Sequence, residues 1–176
     1  MAVHWIVLLV AIFPFWLLQN VIHELAHGLA LRVGWGWWFS IWPFPSTKLG
    51  RFTFAHVVYE PTPTSSVPDN RGWALVSIMP RLVNGALILV AALLSVLLTS
   101  WSMDVAVLLT LLAFYNLIDF IVGMVGIFRS EPNQADIWRY QSYMNADVGK
   151  MRWVAAATIL LAVACVAVPI LRLLGV

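Results

Sequence analysis

Charged residues are scarce in this chain of 176 residues: Asp, Glu, Lys and Arg make up 10% of it, whereas hydrophobic residues make up 62%. The mean hydropathy is accordingly high, at +0.89. A water-soluble domain cannot bury so much apolar surface, so the composition excludes a soluble globular protein and indicates an integral membrane protein. The net charge of +2 is too small to suggest nucleic acid as a partner, and we expect the lipid bilayer to surround the chain.

Cysteine is almost absent as well, because Cys165 is the only one in the sequence. A single cysteine excludes a disulfide within the chain and a metal site built from cysteines. The first 31 residues contain no Lys or Arg, which a cleaved signal peptide carries near its start. The first apolar run is therefore predicted to be a retained transmembrane helix.

Four apolar runs are each long enough to cross the hydrocarbon core of a bilayer, which needs about 20 residues. The second and third runs are joined by only a few residues, so they are predicted to form an antiparallel hairpin. The chain is thus predicted to be an all-α polytopic membrane protein with a single membrane-embedded domain over residues 1–176. The predicted spans are about 4–31, 73–99, 104–128 and 153–171.

The basic residues indicate how these spans are oriented. Nine of the ten Lys and Arg residues fall in or just past the two longer linkers, 32–72 and 129–152, which lie on the same side of the predicted bundle. The exception is Arg172, at the end of the last span. Because basic residues concentrate on the cytoplasmic side, the linkers are predicted to be cytoplasmic and both termini to be outside.

The linkers themselves carry secondary-structure signals. Tryptophans at the beginning of the first linker are expected at the membrane interface. Residues 48–59 are rich in β-branched and aromatic residues, which predicts a short β-like hairpin or an edge strand. Such an edge can hold an extended peptide by main-chain pairing, or the segment can simply cover the membrane surface, and the sequence leaves both open. Residues 134–145 are predicted to form an amphipathic helix near the inner surface.

The first span contains the sequence His23-Glu24-Leu25-Ala26-His27. In a helix, residues four positions apart lie on the same face, one turn from each other, so the two imidazoles can bind one zinc ion. Glu24 follows the first histidine, and its carboxylate can take a proton from water on the metal. Ionisable residues within membrane spans are usually functional, which favours a catalytic zinc site over a structural pair of histidines. Since His27 closely precedes Arg32, the site is predicted toward the cytoplasmic side.

A catalytic zinc ion needs a third protein ligand, which must come from another segment at a similar depth. Depth allows Asp119 of the third span, and it allows Asp136 if its linker folds inward. Asn84 and Asn116 are candidates for contact with the substrate or the oxyanion, or for hydrogen bonds between helices. The residues that can be considered as third ligands are Glu60, Asp69, Asp119, Glu131, Asp136 and His56.

The order of these motifs resembles that of the site-2 protease family of intramembrane zinc metalloproteases. In that family, the first motif supplies two zinc ligands and the general base, and His23, Glu24 and His27 match it fully. Pro80 with Asn84 is similar to the family's Gly-Pro-x-x-Asn element, but the glycine is missing and one extra residue separates the proline from the asparagine.

The family's third zinc ligand lies in a motif that begins with asparagine and ends with Asp-x-x-Arg. Asn116-Leu117-Ile118 is similar to the start of this motif, and Asp136-Ile137-Trp138-Arg139 is similar to its end. The two glycines of the family's motif are missing, and about twenty residues separate Asn116 from Asp136. The resemblance implies that Asp136 is the third ligand, with Asp119 as the alternative.

These observations predict a zinc-dependent intramembrane endopeptidase in which Glu24 activates a zinc-bound water. The resemblance implies that its substrates are membrane proteins or peptides, cleaved in or near their membrane-spanning segments. The alternative is a non-catalytic membrane protein of the same fold that acts as a partner-binding module. A small transporter with a His/Asp relay is a third interpretation, which four spans without an inverted repeat make less favourable.

Overall fold

Helices form most of the computed structural model, which describes residues 2–42, 56–129 and 136–175, with side chains from residue 13 onward. Most of the predicted β segment, residues 48–55, and the start of the predicted linker helix, residues 134–135, lie outside the described residues. The chain divides into two units, Met1–Val67 and Pro68–Val176.

The first unit is built on helix α1, Ala2–Trp35, which contains the first predicted apolar run. The helix stops at Gly36, which has a φ of 75° and donates its N–H to the carbonyl of Arg32 at 3.1 Å. Glycine adopts this left-handed conformation without the steric cost of a side chain. Such a residue at a helix end satisfies a carbonyl that would otherwise lack a partner, so Gly36 fixes the boundary of α1.

A two-stranded antiparallel sheet follows α1 and consists of β1, Trp38–Trp42, and β2, His56–Glu60. The prediction of a short hairpin between the first and second spans is confirmed. Strand β2 lies at the end of the predicted β segment. Strand β1 was not predicted, because it falls in the tryptophan-rich stretch expected at the membrane interface.

The sheet packs against α1 within the first unit. Gly28 of α1 lies directly against the ring of Phe39 in β1, so that no side chain fits at position 28. The guanidinium of Arg32 lies 5.5 Å from the ring centroid of Trp38, which is a cation–π distance. The sheet is therefore joined to the part of α1 that follows the two histidines.

In the described residues of the second unit there are three long α-helices and one short α-helix, and a 3-10 turn, Gly126–Phe128, follows the second long helix. Side chains of Asp69 and Asp147 cap the first and last of the long helices, accepting the N–H groups of Gly72 and Lys150 at 2.7 Å each. These caps start the helices inside the polar linkers, at residues 70 and 148 rather than at the predicted 73 and 153. The helices are α2, Asn70–Leu98; α3, Met103–Val125; α4, Asp136–Met144; and α5, Val148–Leu174.

Helices α2 and α3 form the predicted antiparallel hairpin. The hydroxyl of Ser95, near the end of α2, donates to the carbonyl of Ala106, near the start of α3, at 2.8 Å. It also lies 2.7 Å from the hydroxyl of Thr110. Both hydroxyls are buried, so these bonds join the helices where apolar side chains alone would give little specificity.

Helix α4 is fixed to the end of α3. The indole N–H of Trp138 donates to the carbonyl of Gly126 at 2.6 Å, and both atoms are buried. Arg152 of α5 donates to the neighbouring carbonyl of Ile127 at 3.0 Å. A helix in this linker was predicted, and the bond from Trp138 holds its first turn, which includes the buried Asp136, at the end of α3.

Within the described residues, three helices are long and apolar enough to cross a membrane. This finding agrees with the predicted membrane protein. The predicted fourth span, in α1, and the predicted side of the termini stay predictions. The three helical segments are Asn70–Leu98, Met103–Phe128 and Val148–Leu174.

Candidate metal centre

His23 and His27 lie on one face of α1, as their spacing predicts. Their ring centroids are 5.1 Å apart, and the rings meet edge to face at 74°. His27 is buried, with 7% of its surface exposed, and His23 is partly buried. Two imidazoles at this separation on successive turns can direct one nitrogen each toward a common ion.

Glu24 is bound by the sheet of the first unit. Its Oε2 accepts the backbone N–H of Val57 in β2 at 3.2 Å. This bond joins α1 to the second strand and fixes the orientation of the carboxylate. The ring of Phe39 on Gly28 provides a second junction, between α1 and the first strand, about one turn further along α1.

In the second unit, the two candidate aspartates share one arginine. Arg81 of α2 donates through Nη1 to Asp119 Oδ2 and through Nη2 to Asp136 Oδ2, at 2.9 Å in each case. Arg81 is 5% exposed, so this is a buried ion-pair network rather than a surface contact. A charge-assisted pair in such surroundings holds both carboxylates in defined orientations.

The surroundings of Arg81 are built to hold its guanidinium. Nη1 also donates to the main-chain carbonyl of Asp119, and Asn84 donates its side-chain N–H to Asp119 Oδ2 at 2.5 Å. The guanidinium lies directly against Gly123 of α3, where a Cβ would occupy the same space. Asp119 and Gly123 of α3, together with Asn84 of α2, therefore determine where this arginine lies.

In the first unit, His23 and His27 each offer an imidazole nitrogen, and in the second unit Asp136 offers a carboxylate oxygen. Two imidazoles and one carboxylate are a ligand set found in catalytic zinc sites, where the fourth position is kept for water or substrate. Asp136 as the third ligand, with Asp119 as the alternative, stays a prediction from the resemblance. The chemistry of the ligands thus fits a zinc ion.

The two candidate asparagines are both completely buried. The side-chain N–H of Asn84 is donated to Asp119, and that of Asn116 is donated to the carbonyl of Leu112 at 2.8 Å. Each amide nitrogen thus makes a hydrogen bond within the helices of the second unit. Contact with the substrate or the oxyanion stays a prediction for both.

Three contributors to the site were not predicted from the sequence: Arg81 as the shared partner of two aspartates, Gly123 as the space for it, and the N–H of Val57. A signal for Arg81 was present, since it lies about as far before the turn between α2 and α3 as Asp119 lies after it. An antiparallel hairpin places two such residues opposite each other. The role of Val57 involves only its backbone, which leaves no trace in the sequence.

No protein-family model, curated protein or solved structure matches this chain. The resemblance to site-2 proteases therefore remains a prediction from the motifs of the sequence.

Proposed function

We propose that this chain is a zinc-dependent intramembrane endopeptidase of the site-2 protease type. The observation that carries the proposal is the pair of imidazoles of His23 and His27 on one face of α1, with Glu24 directly following the first of them. The three long apolar helices support the assignment to a membrane. The burial of His27 and Asp136 supports a functional role for both residues, because ionisable groups within a membrane protein's interior are usually functional.

The proposed zinc ligands are His23, His27 and Asp136. When bound, zinc supplies a Lewis acid that polarises a carbonyl group and lowers the pKa of water toward about 7. The two histidines bind as neutral imidazoles and the aspartate as a carboxylate. In this proposal, the protein orients the three ligand atoms toward the ion and excludes bulk water around them.

Glu24 is the proposed general base. It removes a proton from the attacking water while the water oxygen forms a bond to the carbonyl carbon of the scissile peptide. It then gives this proton to the amide nitrogen as the carbon–nitrogen bond breaks, so that an amine and a carboxylic acid leave. The hydrogen bond from Val57 keeps the Glu24 carboxylate in one orientation during both transfers.

The proposed substrates are membrane proteins or peptides with a scissile bond in or near a membrane-spanning segment. This substrate class follows from the family resemblance and from the apolar character of the helices. The basic linkers favour a site that opens toward the cytoplasmic side. A helical substrate would have to unwind locally, because a peptide bond inside a helix is shielded by its neighbours.

The first test is the zinc content per chain of the purified protein in detergent. We expect close to one zinc ion in the wild type and in Asp119→Ala, and a loss of zinc in His23→Ala and Asp136→Ala. Loss in Asp119→Ala with retention in Asp136→Ala would contradict the proposed ligand set. The Asp119→Ala variant keeps all three proposed ligands and loses only one partner of Arg81, so it should still hold one zinc ion when zinc is in excess.

The second test is cleavage of membrane peptides by Glu24→Gln. Glutamine keeps an oxygen that can accept the N–H of Val57, but it cannot take up a proton. We expect normal zinc content and a rate lower by about 10²–10⁴-fold, the usual contribution of a general base. Zinc-loaded wild-type protein without any Glu24-dependent cleavage would favour the partner-binding alternative instead.

A further inference from the structure

We propose that Arg81 is a positioning residue for the metal centre, which orients Asp136 as a ligand. This inference rests on the proposed function, because it assumes that Asp136 binds the metal. It assigns a role to a buried cation that the catalytic steps do not use. It also explains why Asp119, which is not one of the proposed ligands, is a partner of the same arginine.

The first step of the argument is the bond between the arginine and the ligand. Nη2 of Arg81 lies 2.9 Å from Oδ2 of Asp136, and 9% of the aspartate side chain is exposed. A carboxylate held through one oxygen cannot rotate freely about its side-chain torsions. A second partner of this kind fixes a metal ligand in one orientation and lowers the cost of ordering it when the ion binds.

The second step is that Arg81 is itself held in place. Its other terminal nitrogen binds both the side chain and the main-chain carbonyl of Asp119, and Asn84 binds the same carboxylate. Gly123 leaves the space that the guanidinium occupies. The arginine therefore fixes Asp136, the first residue of α4, in position relative to the α2–α3 hairpin.

The third step concerns charge. When ionised, Arg81, Asp119 and Asp136 contribute one positive and two negative charges, a sum of minus one. In a buried site, a net negative charge attracts a further cation more strongly than it would in water. The cluster thus favours binding of a divalent cation by Asp136, whereas an aspartate alone with an arginine would be electrically neutral.

A purely structural ion pair is the competing explanation. Such a pair would join α2, α3 and α4, and its loss would lower the stability of the metal-free protein. It would leave the zinc affinity of the folded protein unchanged. Zinc affinity and metal-free stability, measured separately, therefore distinguish the two roles.

The experiment measures the zinc dissociation constant of the full chain in detergent, by competition with a chromophoric chelator. Arg81→Lys keeps the charge but loses the planar fork that reaches two carboxylates at once. We expect it to bind zinc about 10–100-fold more weakly than the wild type, the usual effect of removing such a partner. Arg152→Lys is the matched control, since Arg152 donates to the carbonyls of Ile127 and Arg129, and it should bind like the wild type.

A second pair of variants tests the same role without removing a polar group. Gly123→Ala places a methyl group where the guanidinium lies, whereas Gly85→Ala meets only an ordinary contact, with Phe120 at 3.9 Å. We expect weaker zinc binding in Gly123→Ala and unchanged binding in Gly85→Ala. This pair also decides the matter if Arg81→Lys does not fold.

Equal zinc affinities in wild type, Arg81→Lys and Gly123→Ala would overturn the inference, provided that Asp136→Ala loses zinc. This result would leave the proposed ligand set intact, so the two failures can be told apart. A wild-type protein that binds no zinc would overturn both. A lower melting temperature of metal-free Arg81→Lys with wild-type zinc affinity would identify a structural ion pair and would also count against the inference.

Discussion

The contact between Gly28 and Phe39 yields a quantitative prediction about how the sheet is held on α1. An ideal Cβ at position 28 would lie 2.7 Å from the Cγ of the Phe39 ring, and other ring atoms are as close or closer. Because rotation about χ2 leaves Cγ in place, the ring can move away only through a change of χ1 or a shift of the backbone. Gly28→Ala must therefore change the rotamer of Phe39 or displace β1 or α1, and overpacking of this kind costs about 1–3 kcal/mol.

Gly34→Ala is the matched control in the same helix. A Cβ at position 34 would meet nothing within 4 Å, so this substitution should keep the gain of up to about 1 kcal/mol that alanine brings in a helix. We expect Gly28→Ala to be less stable than Gly34→Ala by about 1–3 kcal/mol. The assay is denaturant unfolding of the full chain in detergent micelles.

A double-mutant cycle then identifies the cause. If the Phe39 ring is the obstacle, Gly28→Ala should be tolerated in a Phe39→Ala background. Cleavage should also fall in the single variant Gly28→Ala, because the displaced sheet carries the N–H of Val57 that holds Glu24. Equal stability of Gly28→Ala and Gly34→Ala would refute the packing of β1 on α1 and the reasoning built on it.

Three further predictions concern the second unit and the proposed binding of zinc. Trp138→Phe removes the indole donor to the carbonyl of Gly126 and leaves that oxygen buried, so the free energy of unfolding should fall by about 1–3 kcal/mol in denaturant titrations. Trp153→Phe, at an exposed position, is the control and should change it little. Ser95→Ala should destabilise the α2–α3 hairpin by about 0.6–1.7 kcal/mol, since it removes bonds between two helices. Removal of zinc from a solution that holds it at 100 times its dissociation constant should lower the stability of the wild type by about 2.7 kcal/mol, with no change in Asp136→Ala.

The long helices could be predicted from the sequence because their apolar runs exceed what any other element needs. Only their ends differ from the prediction, and the reason is local: Asp69 and Asp147 cap α2 and α5 within polar linkers. A search for apolar residues cannot detect a helix turn made of polar ones. The capping residues themselves were visible, and reading them first would have placed both starts correctly.

Strand β1 could not be predicted, and the cause is general for membrane proteins. Trp38, Ser40 and Trp42 are exposed, whereas Phe39 and Ile41 are partly buried, so the strand alternates as a half-buried strand should. Its exposed face, however, carries two tryptophans, so the sequence shows no alternation of polar and apolar residues. Where exposed positions are apolar, the period of two disappears from the sequence although it persists in the structure.

One part of the candidate site follows from the local sequence, and the other part depends on contacts between residues far apart in the chain. His23, Glu24 and His27 are neighbours on one helix, so their arrangement follows from 3.6 residues per turn. The choice between Asp119 and Asp136 depends on how the last linker returns to the bundle, and this return depends on Trp138 and Arg81, which bind partners at least twelve residues away in sequence.

A buried arginine that binds both candidate aspartates also shows why the choice is difficult from sequence. Both residues must be acidic and near the same depth if one guanidinium is to bind them, so composition and depth do not separate the proposed ligand from the alternative. In Asp119, the oxygen that binds Arg81 also accepts the side-chain N–H of Asn84. An aspartate held in this way is suited to fix the position of the arginine, and in our proposal the arginine then orients Asp136 as the metal ligand.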